Sequence, residues 1–300
     1  MAVKQEIWVP YILNRLEKAN GFLANAYNDD QYVLAGSVVH IPQPGAKPVV
    51  VKNRSSYPAT AVRRTDTDVT YVLDEYTTDP THIVNADKYE LSYSKMDSVM
   101  LDHVNGLAET IGDDILIKWL SGAGHVIYTS GADTSEDIED GMVGTRKTLH
   151  YSDLARAKKY FNKQNVLKTD RFAVLEENMF DQLCSSLGAN GYKDFSAYAN
   201  PVEGVLGKWE GFNIQTRSSV AISGAADAIN ALGAEIGEDD NVCSILYQKD
   251  SVARAKGTIE LFQDEGNPLY YGDIYSALVR MGGRVRRNGG MGVIKLVAKA

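Results

Sequence analysis

The sequence predicts a mixed α+β chain with more than one structural unit, and three observations carry that prediction. Residues 94–120 keep the spacing of one long amphipathic helix. Residues 36–90 lack helical periodicity and hold five of the eight prolines. After residue 150, helical and strand patterns alternate along the chain. At 300 residues it is long enough to bury a sizeable core without disulfide or metal staples.

The elements follow in order. Ile7, Tyr11, Leu13 and Leu16 share one broad helical face, with Pro10 suited to a first turn; Phe22, Leu23 and Tyr27 follow Gly21. Strand-like alternation appears at Val49–Lys52 and at Val69–Asp74, separated by Ser55-Ser56-Tyr57-Pro58 and a charged run from Arg63 to Asp68. This reads as a long two-stranded arm. An isolated ribbon of two strands is marginal in water, so it must lie on the body of this chain or on another chain. Met96, Val99, Met100, Val104, Leu107, Ile111, Ile115 and Trp119 then mark the buried face of the long helix. Ser94 with Asp97 opens it, and Ser121-Gly122-Ala123-Gly124 stops it, for a length of about 40 Å. Gly106 and Gly112 inside it imply a bend or close packing.

The acidic run Asp133, Glu136, Asp137, Glu139, Asp140 reads as a solvated loop; it lacks the ligand alternation and central glycine of a helix-loop-helix calcium site. Ser152 is placed to cap a helix through Phe161, Arg171–Leu175 reads as a buried strand, and Asn178 is placed to cap a helix ending at Gly188. Strand-like turns span 204–217. The small-residue stretch Ala221–Gly237 suits a surface loop with a short helix. Later strands fit Val242–Tyr247, Thr258–Phe262, Ile274–Arg280 and Met291–Val297.

Charge narrows the function classes. Lys and Arg number 31 against 39 Asp and Glu, a net of -8, which argues against a dedicated nucleic-acid binder. No window approaches the roughly 18 uninterrupted apolar residues of a membrane span, and no export signal opens the sequence. Cys184 and Cys243 read as free thiols. The glycosylation sequon Asn53-Arg54-Ser55 therefore carries little meaning. Tyrosine outnumbers phenylalanine 17 to 7, a bias that suits surfaces that become interfaces.

Catalytic patterns are missing. His40, His82, His103, His125 and His150 have no metal-ligand spacing, and no nucleophile elbow is present. Gly141–Thr148 ends like a phosphate-binding loop, but Arg146 stands where that loop needs its last glycine. No catalytic, cofactor-binding or metal residue is assigned. Arg280, Arg284, Arg286 and Arg287 form the one concentrated positive patch, and guanidinium–carboxylate pairing between subunits is the expected use.

The order of arm, proline-bearing ribbon, long helix and mixed domain resembles the major capsid proteins of tailed bacteriophages, whose shared fold is the Hong Kong ninety-seven fold. Three strings add to the resemblance. Leu154–Ala157 running through Asn165–Leu175 is similar to the family's passage from helix through a short turn and an arginine into an apolar strand. Gly204–Ile214 resembles its glycine-punctuated turn into a strand, and Val252–Gly257 with Gly272-Asp273, Arg280-Met281-Gly282 and Arg287 resembles its closing strands.

The resemblance implies an N-terminal arm at 1–35 and an extended loop at 36–79 that overlaps a neighbour. It implies a peripheral domain at 80–145 and 236–272 around the spine helix, and an axial domain at 146–235 and 273–300. Lys47, Lys52, Arg54, Arg63, Arg64, Arg284, Arg286 and Arg287 become candidate inter-subunit contacts. The chain would assemble with itself into pentamers and hexamers of an icosahedral head, touch packaged double-stranded DNA weakly and non-specifically, and meet portal, scaffold or decoration proteins, with no membrane partner and no cofactor. It would be made in the host cytoplasm and reside in the virion. The arm begins at once, which implies a separate scaffold or none. Lys47 and Lys52 lie in the loop, but no asparagine partner or acidic catalyst matches, so cross-linking is not implied. The rival readings are an encapsulin-type compartment shell and, more distantly, a soluble enzyme with an unrecognised site.

Overall fold

A computed structural model of the protein describes residues 12, 20–34, 38–43, 48–55, 57–65, 67–84, 95–135, 138–200 and 204–299. In chain order the elements are α1 (Gly21–Ala24), β1 (Tyr27–Asn28), β2 (Val33–Leu34), β3 (Val38–Gln43), β4 (Thr67–Val72), β5 (Asp74–Thr77), β6 (Thr81–Val84) and α2 (Lys95–Ser121). There follow β7 (His125–Tyr128), β8 (Asp133–Thr134), β9 (Arg146–Lys147), α3 (Tyr151–Lys163), β10 (Arg171–Glu176), α4 (Glu177–Ser196), β11 (Gly207–Trp209), β12 (Phe212–Arg217) and β13 (Ala221–Ser223). The last are β14 (Asn241–Gln248), β15 (Val252–Asn267), β16 (Gly272–Val285) and β17 (Val293–Val297).

A seven-stranded mixed sheet runs β11-β12-β10-β14-β17-β7, with β13 also paired to β14. Its central strands, RFAVLE and NVCSILYQ, are buried at every residue. Such near-continuous apolar runs belong to strands covered on both faces. Side-chain alternation then assigns the covers. Phe172, Val174, Cys243, Ile245 and Tyr247 face α2, whereas Ala173, Leu175 and Leu246 face α3 and α4 through Leu154, Phe161, Met179 and Leu183.

The second sheet is built on a long hairpin. β15 and β16 pair antiparallel, β1 adds parallel to β15, and β5 and β6 both pair with β16. α2 lies across both sheets, because its stripe from Met100 to Trp119 is continuous with Ala277, Val279 and Met281 of β16. Trp119 closes the junction. Its indole Nε1 donates to the Ala253 carbonyl at 3.1 Å, and its ring meets Phe22 edge-on at 5.7 Å and Tyr247 at 5.4 Å. Polar ties reinforce the bridge. Lys118 pairs with Asp74, Tyr76 donates to Asp114, and Arg217 pairs with Asp113. Gly112 is the close-packing site expected of it, since a Cβ there would fall 2.2 Å from Asn20 Oδ1, while Gly106 has no neighbour in reach.

Several expectations are corrected. Val49–Lys52 forms no strand; β4 pairs instead with β3, with His40 opposite Thr70. His150, not Ser152, caps α3: its ring accepts from Ser152 N–H, and Asp153 takes the His150 N–H at 3.1 Å. Glu176, not Asn178, caps α4 by accepting from the N–H groups of Asn178 and Met179 at 2.9 and 3.1 Å. α4 does not stop at Gly188. It bends there, with φ of 65°, and continues to Ser196. The stretch after Ala221 opens with β13 rather than as loop alone. β7, β14 and β17 share the seven-stranded sheet, while β15 and β16 form one hairpin. Ile7, Tyr11, Leu13, Leu16, Lys47 and Ser94 lie outside the described residues.

Candidate assembly interface

Among the described residues, the ribbon is anchored at its base. Val39, Ile41, Tyr71 and Leu73 form a small core with Ala255 of the hairpin. His40 Nδ1 lies 2.6 Å from Asp68 Oδ2, and Arg284 donates to the Thr70 carbonyl at 2.5 Å. Beyond the paired strands, the described residues of 48–65 have no regular structure, and all but the half-buried Arg54 are exposed. Val50 and Val62 are 92% and 86% exposed, and Val49 and Tyr57 are similarly open. Clustered apolar exposure of this kind marks an interaction surface. The far end of the hairpin repeats the pattern with Phe262, Leu269, Tyr270 and Tyr271.

The candidate contact residues fall into two groups. Lys52, Arg63 and Arg64 are exposed on the ribbon tip with Arg54 beside them, and Lys47 lies outside the described residues. The arginines of β16 and the residues after it are used within the chain. Arg280 makes a two-pronged contact with Glu75 at 2.7 and 3.0 Å, Arg284 holds the ribbon base, and Arg287 lies 4.0 Å from the Met291 sulfur. Arg286 stands over the Tyr27 ring at 3.8 Å and reaches Asp29 at 3.6 Å. The carboxylate pairing expected between subunits is therefore made inside the protomer for Arg280 and Arg286. The fold brings the hairpin end back against the segment after α1, which no local spacing announces. Asp29 is fully buried, and burial pushes its carboxyl above the usual range while Arg286 pulls it back. The Tyr71 hydroxyl, 3.4 Å from Asp29, is likewise pushed up by burial and by that carboxylate.

The stretch that ends like a phosphate loop is a structural staple. The buried Arg146 guanidinium donates to the carbonyls of Val143, Thr145, Glu238 and Asp240 at 2.9–3.2 Å. His103 is buried in the α2 stripe beside a cavity of about 320 Å³ lined by Thr78, Asp79, Thr81, Val99 and Asp102. Its Nε2 has no hydrogen-bond partner among the described residues, and burial lowers its pKa. Cys243 is buried, and its thiol is pushed up to about 12 by burial. Among the described residues no group of His, Cys, Asp or Glu is placed to hold a metal ion, and no helix is long and apolar enough to cross a membrane.

Sequence reasoning missed one charged feature. Lys158, Lys159 and Lys163 line an open cleft of about 500 Å³ on α3 with Ala155, Asn162 and Glu210. The Lys-Lys pair followed by Lys163 on a helix was a readable signal.

The whole architecture has solved counterparts. The chain is similar to the capsid of Cyanophage P-SCSP1u, with a TM-score of 0.66 and 16% identity over 92% of this chain and 87% of that one. It is similar to a structure from Mycobacterium phage Che8, with a TM-score of 0.60 and 18% identity over 91% and 90% of the two chains. The head structure of Helicobacter pylori bacteriophage KHP40 matches with a TM-score of 0.62 and 11% identity over 92% and 89%. No protein-family model and no curated protein matches the chain. The fold is thus that of tailed-phage capsid proteins of the Hong Kong ninety-seven type.

Proposed function

We propose that this protein is the major capsid subunit of a tailed phage, a structural protein whose function lies in its interfaces. The ribbon tip carries the reading: it exposes Val49, Val50, Tyr57 and Val62 beyond a pair of strands that, among the described residues, its own chain anchors at the base. A neighbouring subunit would supply the missing surface. In this reading the hairpin sheet with α2 is the peripheral domain, the seven-stranded sheet with α3 and α4 is the axial domain, and the ribbon reaches across to the next protomer. Repeated heterologous contacts of this kind close into rings and then into a shell.

Finer points belong to the same proposal. The subunit would form pentamers and hexamers, enclose double-stranded DNA with weak wall contacts in keeping with its net charge of -8, and reside in the virion after synthesis in the host cytoplasm. Portal, scaffold or decoration proteins would join it, and Lys52, Arg54, Arg63 and Arg64 on the tip remain candidate contacts with a neighbour. The encapsulin alternative is not favoured, because the solved structures reported above come from phages, among them a phage capsid and a phage head.

Electron microscopy and sedimentation of the expressed chain test the reading. Closed particles, lost when residues 48–65 are replaced by a short glycine-serine link, are the expected result. A stable monomer at high concentration, or particles indifferent to that deletion, would overturn it.

A further inference from the structure

The seven-stranded sheet carries opposite charge at its two ends. Arg171 of β10 pairs with Gln248 of β14, and Phe212 of β12 pairs with Arg171, so these residues share one end of the sheet. The C-terminal half of α3, the Glu210 turn and Lys168 lie at that end, where Lys158 pairs with Glu210 at 2.6 Å. Lys159, Lys163 and Lys168 are exposed there and have no ion pair within the chain among the described residues. Leu167, 52% exposed, sits among them.

The opposite end is defined by Cys243 pairing with Val297 and by the Thr129 N–H donating to the Val297 carbonyl at 3.1 Å. Two acidic loops meet there, since the Val143 N–H donates to the Glu238 carbonyl at 3.1 Å and Arg146 staples Glu238 and Asp240 from beneath. Asp140, Glu235, Glu238 and Asp239 are exposed and likewise have no ion pair within the chain among the described residues. Val143 and Leu232 add exposed apolar surface beside them.

The two patches cannot neutralise each other inside one protomer. α3 starts at the acidic end, where Ser130 Oγ donates to Asp153 at 2.6 Å, and runs away from it. At about 1.5 Å per residue, Lys163 lies roughly 20 Å beyond His150. That exceeds the screening length of about 8 Å at physiological salt.

We propose that the basic cleft of α3 receives the acidic loops at 138–143 and 235–240 of a second copy of this chain. This is a head-to-tail contact that sets the order of protomers around a ring. Each patch combines uncompensated charge with exposed apolar side chains, and the signs are complementary, so one copy offers what the next one lacks. Both patches flank one sheet at opposite ends, so a head-to-tail contact between them can repeat with the same rotation. The contact rests on the shell reading above and adds which surfaces meet in its rings.

Charge reversal and compensation test it on the full chain. Lys159→Glu with Lys163→Glu, and separately Glu238→Lys with Asp239→Lys, should each lower the yield of closed particles at least about tenfold while leaving the circular dichroism of the protomer unchanged. The four changes combined should recover most of the yield. Lys159→Gln with Lys163→Gln serves as a milder variant and should assemble with weakened salt dependence. Reversed variants that assemble like the unaltered chain, or a combined variant that folds but does not recover, would overturn the contact. Normal shells that have lost only DNA would assign the lysines to nucleic acid and overturn it too. An unaltered chain that never assembles would overturn the shell reading as well, whereas good shells with indifferent variants would overturn this contact alone.

Discussion

The ribbon β3–β4 and the hairpin β15–β16 are both antiparallel pairs, yet they are completed differently. β16 receives β5 and β6 along its free edge, and Tyr275, Ala277, Val279 and Met281 are buried against the core that α2 shares. Among the described residues, the ribbon has the two-residue β2 on the outer edge of β3 and a small core at its base. Extended chain is stabilised by what covers its faces and edges rather than by its length. The hairpin teaches the same lesson again along its own axis, because its far end, where Leu269 and Tyr271 emerge, is as open as the ribbon tip.

The largest test of this contrast is Trp119→Ala, which removes the side chain that seals the hairpin to α2. Its loss should cost about 3–5 kcal/mol in urea denaturation, and a cost under about 1 kcal/mol would break the comparison. Arg286→Glu comes next. It sets a second carboxylate beside the fully buried Asp29 and should destabilise the protomer by about 3 kcal/mol, with Asp29→Asn recovering part of it in the double variant.

A pH dependence sharpens the α2 side. His103 faces Asp102 on its own helix and Asp79 on the turn before β6, and burial dominates over Asp102 to lower its pKa from 6.5. The unfolded chain takes up a proton that the folded chain refuses, so stability is full above 6.5 and falls as the pH drops below it. His103→Gln should flatten that acid limb in melting curves recorded across the range. The smallest effect is reserved for the ribbon tip. Val50→Ser with Val62→Ser should leave protomer stability within about 0.5 kcal/mol, because neither side chain packs on its own chain. A larger loss would show that the tip is part of the protomer's own fold.

Local pattern made some of this legible. The stripe ending at Trp119 identified α2, and the runs at 171–175 and 242–247 identified buried strands. The ribbon was legible as an extended arm in need of support, but its pairing was not. Val49-Val50-Val51 has strand propensity but lies in no strand, while β3 contains Pro42, which weakens its strand signal. Helix starts misled in a similar way. Ser152 fits the usual cap chemistry, yet Asp153 and the His150 ring complete a reciprocal cap two residues earlier. The candidate arginines were legible as a cluster, but their partners were not. Asp29 lies more than two hundred residues from Arg286, and the Thr70 carbonyl becomes an acceptor only once the ribbon base packs on the hairpin.

By itself, then, the amino-acid order determined the long helix, the buried strands at 171–175 and 242–247 and the acidic surplus, because these depend on near neighbours and on composition. Which strands share a sheet, which guanidiniums are spent inside the protomer, and which charges end up at opposite ends of one sheet were decided only by tertiary structure. Those outcomes depend on contacts between distant segments, and burial, which sets the strength of every such contact, exists only once the segments have met.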